Sequence, residues 1–124
     1  MRELKMRELK THHDGHGLNE SISIHADEPG GGAASHYYSF DMTNGVGAAL
    51  QFQKGPRNVE GSTPGVTEAA VLAVLIDRLQ GFQRGPYSCR ENAIILTKLQ
   101  ECLYWTRARA DERAERGVLG TNAW

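Results

Sequence analysis

The chain has 124 residues, a formal net charge of −1 and 40% hydrophobic residues. This length supports one modest core and excludes two large domains. A net charge near zero argues against a nucleic acid polymer as partner, because nucleic-acid-binding proteins carry an overall or strongly patched positive charge. The sequence has no run of about 18 apolar residues and no apolar signal-peptide core at its N-terminus, so we expect neither a membrane partner nor secretion.

Residues 1–10 consist of "MRELK" written twice, which is typical of an alternative start or a cloning remnant. The following "THHDGHG" contains His12, His13 and His16, but no Cys or carboxylate completes a convincing metal-binding set. We therefore predict a flexible N-terminal tail over residues 1–20, and we expect neither a metal nor any other cofactor.

Residues 21–55 alternate between apolar and polar side chains, which predicts strands. The segments are "SISIHADE", "ASHYYSFDM" and "GAALQFQK". Glycines in "PGGG" at residues 29–32 and in the Asn44-Gly45 pair supply the positive φ angles of tight turns. The prediction is a small antiparallel β-meander.

Residues 66–117 are predicted to form a two-helix hairpin, after a Gly- and Pro-rich loop over residues 54–65. Thr67 is the expected N-cap of the first helix. For the second helix, Ser88 followed by Glu91 predicts a capping box, and Gly117 is a natural residue just past the end. The predicted class is α+β, in which the hairpin packs with the meander as a single domain over residues 21–124.

The second predicted helix is long, on the order of 40 Å at 1.5 Å per residue. A partner helix of about 15 residues cannot cover it. A second copy of the chain is the simplest source of the missing surface, so we predict at least a homodimer.

The sequence offers little for catalysis. No P-loop, no G-x-S-x-G and no complete metal set is present. Cys89 and Cys102 lie in no activating motif, and free cysteines are usually buried or neutral. We therefore predict that the protein is not an enzyme.

An arginine stripe in "RARADERAERG" over residues 107–117 is the first candidate binding feature. Arg109 and Arg113 are one helical turn apart, a repulsive arrangement that a bound anion would offset. Their guanidinium groups suit phosphate oxygens. The alternative is an ordinary salt-bridged surface, in which Glu112 pairs with Arg116 and Arg107 with Asp111.

Aromatic and polar residues near the connection between the helices form a second candidate feature. Phe82 and Tyr87 could stack on a nucleotide base, or Phe82 could instead cap the core. Asn92 could read a base edge or ribose hydroxyls, and Arg57 is an otherwise unexplained cation. Because Asn92 and Arg109 lie about 25 Å apart along one helix, a compact ligand would need two antiparallel chains, with Phe82 and Asn92 of one chain facing Arg109 of the other.

The residues "CREN", "LTKLQECL" and "ERGVLGT" resemble the helical-hairpin domain shared by phage anti-Thoeris and anti-CBASS sponge proteins, over about residues 52–122. The N-terminal strands, with "SHYYSFDM", are similar to the anti-Thoeris branch. The resemblance implies a protein of the host bacterial cytoplasm that sequesters glycocyclic ADP-ribose, made from NAD by a TIR-domain enzyme, and thereby blocks Thoeris defence.

The resemblance also implies a set of ligand-binding residues. Phe82 would stack the adenine, Asn92 would read polar groups, and Arg57 and Arg109 would hold the pyrophosphate, with Arg113 a weaker candidate. Some relatives form hexamers and bind cyclic di- or trinucleotides at separate sites. Two alternatives remain, a nucleotide-modifying enzyme and a purely structural oligomeric hairpin protein.

Overall fold

A computed structural model describes residues 6–121, which form two compact units. The first unit contains the chain up to Gly55 together with Glu60–Gly65, and the second contains Pro56–Val59 together with the chain from Val66 onward. The strands pair among themselves and the helices pack on each other, so the predicted domain over residues 21–124 is divided between a sheet unit and a helical unit.

The sheet unit is a four-stranded antiparallel meander with strand order β1-β2-β3-β4. The strands are β1 Arg7–Leu9, β2 Ile22–Ala26, β3 Tyr37–Met42 and β4 Gly47–Gln51. Ile24 lies opposite Phe40, and Phe40 lies opposite Ala48, so the apolar positions of neighbouring strands share one face. The predicted meander and the α+β class are confirmed.

The turn between β3 and β4 follows the predicted chemistry. Gly45 has a φ of 86°, which a residue with a side chain rarely adopts. The Asn44 side-chain oxygen accepts a hydrogen bond from the Val46 amide at 3.0 Å. Asn and Gly therefore close this hairpin as the sequence indicated.

Strand β1 lies inside the segment predicted to be a flexible tail. Residues 7–9 come from the second "MRELK" copy and pair with β2, with Leu9 opposite Ile24. Arg7 also donates to Ser35 Oγ at 2.9 Å, and Ser35 donates to the Asp27 carbonyl at 2.7 Å. Backbone pairing and a side-chain bond therefore place these residues in the sheet, inside the segment predicted to be a tail. Residues 1–5, which are the whole first copy, lie outside the described residues.

The loop between β1 and β2 closes around the carboxylate of Glu20. Backbone amides of Gly17 and Asp14 donate to it at 2.6 Å each, and that of Gly15 donates at 3.1 Å. These bonds, that of Gly17 first, lower the pKa of Glu20 from 4.5 to about 2.

The helical unit contains α1 Glu68–Arg84 and α2 Arg90–Glu115. Thr67 caps α1 as predicted, because its hydroxyl accepts from the Ala70 amide at 3.1 Å. The predicted capping box at Ser88 is wrong. Ser88 belongs to the preceding turn, and Cys89 is the N-cap, with its Sγ accepting from the Asn92 amide at 3.4 Å.

Helix α2 ends as the sequence predicted. Gly117 follows the helix with a φ of 72°. Its amide donates to the Ala114 carbonyl, and the Val118 amide donates to the Arg113 carbonyl, both at 3.0 Å. This pair of bonds is a Schellman motif, which satisfies carbonyls that the helix end would leave free.

The two helices leave much of their apolar surface exposed. Ile76 is the only described residue of either helix that is buried. Val74 on α1 is 68% exposed, and Tyr104 and Trp105 on α2 are each 64% exposed. Both cysteines are also exposed, so the buried form of the expected buried or neutral thiols is wrong. Hydrophobic side chains on several sides of the hairpin therefore still face solvent in one chain.

Candidate functional site

The closed end of the hairpin is built around Phe82. This residue lies in the last turns of α1, and the structure therefore corrects its predicted place in the connection between the helices. The Arg78 guanidinium lies over the ring, with its central carbon 4.9 Å from the ring centroid. Tyr87 meets the same ring edge-on at a centroid distance of 6.4 Å. Phe82 is thus a half-buried aromatic with a cation fixed on one face.

Gln83 fastens the start of α2 to the end of α1. Its side-chain oxygen accepts from the Cys89 amide at 3.1 Å, and its side-chain nitrogen donates to the Cys89 carbonyl at 3.3 Å. The same Cys89 caps the helix through the Asn92 amide. Phe82 and Asn92 therefore occupy one end of the hairpin, joined by a short chain of hydrogen bonds.

A groove lies between α1 and α2, lined from Thr67 to Gln80 on the first side and from Gln100 to Ala110 on the second. Its volume is about 1160 Å³, which exceeds the 300–1,000 Å³ typical of ligand pockets. The lining includes Thr67, Gln80, Tyr104, Arg107 and Arg109. The groove is large enough to admit a small molecule, and its arginine side chains make it a candidate for an anionic ligand.

Arg109 is exposed in this groove and forms no ion pair or hydrogen bond with any residue between 6 and 121. Two other arginines of the stripe form ion pairs. Arg107 lies 4.0 Å from Asp111, and Arg116 pairs with Glu112, as the salt-bridged alternative predicted. That alternative explains Arg107 and Arg116 but leaves Arg109 unaccounted for.

Arg113 points away from the stripe, toward the turn that follows α2. Its Nη2 atom donates to the Val118 carbonyl at 3.2 Å and to the Thr121 carbonyl at 3.1 Å. The structure gives Arg113 intramolecular partners, in contrast to Arg109.

Arg57 lies in segment Pro56–Val59, which belongs to the helical unit. Its side chain is exposed and has no partner among the described residues. The next residue, Asn58, donates its amide to the Gly120 carbonyl at 3.1 Å. This bond attaches the segment that carries Arg57 to the turn after α2.

The five predicted residues are not gathered within one chain. Phe82 and Asn92 share the closed end, Arg109 lies in the groove between the helices, and Arg57 and Arg113 are both attached to the turn after α2. Asn92 and Arg109 are separated by 17 positions of one continuous helix, about 25 Å. Within one chain, Phe82 and Asn92 are therefore separated from Arg109 by most of the length of α2.

Over residues 6–121, no group of three or more His, Cys, Asp or Glu side chains is arranged to hold a metal ion. In that same range, neither helix has the length and apolar character needed to cross a membrane.

Comparison with known proteins identifies the family of this chain. A family model described as "Acb2/Tad1, hairpin domain" matches residues 48–111, just over half of the chain. The chain belongs to this family. Arg57, Phe82, Asn92 and Arg109 lie inside the matched segment, whereas Arg113 lies two residues beyond it.

One relative of this chain is "Thoeris anti-defense 1" of Bacillus phage SBSphiJ7, which is 45% identical over 75 residues. The aligned segment covers 60% of this chain and 52% of the relative, so the similarity spans about half of the relative's length. Both comparisons support the resemblance to anti-Thoeris sponge proteins.

Sequence reasoning missed two residues that shape the closed end. Arg78 precedes Phe82 by four positions, and this helical spacing is a signal that could have indicated the contact. Gln83 could not be found in this way, because its two bonds to Cys89 depend on how the connecting turn folds back.

Proposed function

We propose that this chain binds and withholds a small signalling nucleotide and so keeps a bacterial Thoeris defence inactive. The observation that carries the proposal is the family match over residues 48–111, together with 45% identity to a protein named for Thoeris anti-defence. The proposed site of action is the cytoplasm of the infected bacterium.

The proposed ligand is glycocyclic ADP-ribose, as the resemblance implies. Its adenine would stack on the Phe82 face opposite Arg78, and Asn92 would exchange hydrogen bonds with base or ribose groups. Arg57 and Arg109 would hold the pyrophosphate, which matches their exposed guanidinium groups without partners among residues 6–121. Arg113 is the weaker candidate in this set.

The proposed assembly is a homodimer or a larger oligomer such as a hexamer. Exposed apolar residues on both helices, including Val74, Tyr104 and Trp105, would lose contact with water against a second copy. Antiparallel packing of α2 across a two-fold axis would also bring Phe82 and Asn92 of one chain to Arg109 of its partner. Each dimer would then hold two equivalent pockets.

The proposed action involves no chemical conversion of the nucleotide. The candidate residues are one aromatic, one amide and three guanidinium groups, and none of these is a general base at neutral pH. Such a set recognises a nucleotide by stacking and charge. An enzyme that modifies the nucleotide remains the alternative, together with a purely structural hairpin protein.

Isothermal titration calorimetry tests the proposal. The panel contains glycocyclic ADP-ribose, ADP-ribose, NAD and cyclic di- and trinucleotides. We expect saturable binding of glycocyclic ADP-ribose at about one site per chain. Binding of a cyclic oligonucleotide at the same time, without competition, would establish a separate second site. The absence of binding by the whole panel would contradict the proposal and favour the structural alternative.

A further inference from the structure

The turn after α2 links two residues that the proposed function treats as separate ligand contacts. The Arg113 guanidinium bonds to the Val118 and Thr121 carbonyls, which lie at the two ends of segment 118–121. Between them, the Gly120 carbonyl accepts the Asn58 amide. Hydrogen bonds and segment 118–121 therefore connect Arg113 to Asn58, the residue next to Arg57.

Close packing at Gly120 reinforces this link. Gly120 has a φ of 77°, a conformation that L side chains rarely adopt. A Cβ atom at this position would lie 2.5 Å from the side-chain nitrogen of Asn58. A side chain at position 120 would therefore displace the Asn58 side chain and strain the turn.

The bonds of Arg113 are not needed for the end of the helix itself. The Schellman motif is made by the Gly117 and Val118 amides, and neither uses the Arg113 side chain. The guanidinium instead holds the segment beyond that motif. The guanidinium therefore stabilises the turn at Gly120 and the segment that is bonded to this turn through Asn58.

We propose that Arg113 is a positioning residue, which holds segment 118–121 so that Asn58 and the adjoining Arg57 are fixed in place, and that this role replaces the weaker nucleotide contact considered for it under the proposed function. The role of Arg57 in this proposal rests on the proposed function. The attachment of Asn58 does not, because it exists in the free protein.

Amide hydrogen exchange of the free protein tests the attachment. Arg113→Ala should speed exchange of the Asn58 amide by roughly ten-fold or more, because the Gly120 carbonyl is no longer held against it. Gly120→Ala should do the same without removing any charge. Lys98→Ala is the control, since it removes an exposed cation from the middle of the same helix and should leave Asn58 unchanged. Unchanged exchange at Asn58 in both Arg113→Ala and Gly120→Ala would overturn the proposal.

A double-mutant cycle with glycocyclic ADP-ribose tests whether Arg113 acts through Arg57. The double variant of Arg57→Ala and Arg113→Ala should bind no more weakly than Arg57→Ala alone, and Gly120→Ala should weaken binding by the same factor as Arg113→Ala. If the losses multiply and Gly120→Ala binds like the wild type, Arg113 contacts the nucleotide directly and the proposal fails. If the wild type binds no nucleotide, the proposed function fails, while the exchange experiment still decides whether Arg113 fixes Asn58.

Discussion

Replacing Arg109 with alanine should separate ligand binding from stability. Arg109 is exposed and has no partner among residues 6–121, so its removal should change the free energy of unfolding of the free protein by less than about 0.5 kcal/mol. A small gain is expected if some repulsion from Arg113 remains. Nucleotide binding should weaken by about 1.5–3 kcal/mol, roughly 10- to 150-fold, the usual loss for hydrogen bonds to a charged group.

Two measurements and one matched control make this test specific. Calorimetry gives the affinity for glycocyclic ADP-ribose, and thermal unfolding without nucleotide gives the stability. The control, Lys98→Ala, removes an exposed cation that lies 3.7 Å from Glu101 on the same helix. If Arg109→Ala binds as tightly as the wild type, or if Lys98→Ala loses as much, Arg109 does not contact the pyrophosphate.

The same variant tests whether the pocket is shared between chains. Neither Arg109→Ala nor Phe82→Ala should bind well alone. Mixed heterodimers should contain one pocket with both defects and one pocket with neither, so binding should return at up to one site per heterodimer. If subunits exchange and binding does not return, the pocket lies within one chain or needs an assembly larger than a dimer.

Variants of Phe82, Asn92 and Arg78 and a pH series have further defined outcomes. Phe82→Ala should weaken nucleotide binding by about 1–3 kcal/mol, and circular dichroism should show that the fold is retained. Asn92→Leu should also weaken nucleotide binding, because polar groups of the ligand lose their hydrogen-bond partner. Wild-type affinity in either variant would show that the residue lies outside the pocket. Arg78→Ala should reduce affinity by about 0.5–1 kcal/mol and Arg78→Lys by less, as measured by calorimetry, and equal losses would argue against a cation on the Phe82 ring. Because the folded-state pKa of Glu20, about 2, lies below its ordinary value of 4.5, its stabilisation of the β1–β2 loop is present above about pH 4.5 and is lost as the pH falls through about 2. Exchange of the Gly17 amide should therefore accelerate over that interval beyond its intrinsic pH dependence, and Glu20→Gln should abolish the acceleration.

Local patterns predicted most of the fold. Alternating side chains placed three of the four strands, and Thr67 and Gly117 marked one end of each helix. Strand β1 could not be predicted in this way, because three residues are too few to show a period and their order comes from pairing with β2. The cap of α2 was placed one residue early, since Cys89 accepts weakly and is an unusual N-cap, whereas Ser88 fits the common pattern.

The arginine stripe shows where sequence reasoning about the site reached its limit. Helical spacing placed Arg109 and Arg113 together and also predicted the pairs of Arg107 and Arg116. It could not show that Arg113 turns toward carbonyls of residues five and eight positions later, because those contacts form only after the chain leaves the helix. Only the folded turn shows that Arg113 donates to two backbone carbonyls, whereas Arg109 has no partner among residues 6–121.

The most direct test of the central claim is the chemical fate of the nucleotide. The protein is incubated with glycocyclic ADP-ribose, unbound nucleotide is removed by filtration, the protein is denatured by heat, and the released small molecules are identified by mass spectrometry. A sponge predicts that about one glycocyclic ADP-ribose per chain stays with the protein and is recovered unchanged. Recovery of a cleaved or modified nucleotide, or its complete loss in the filtrate, would contradict sequestration.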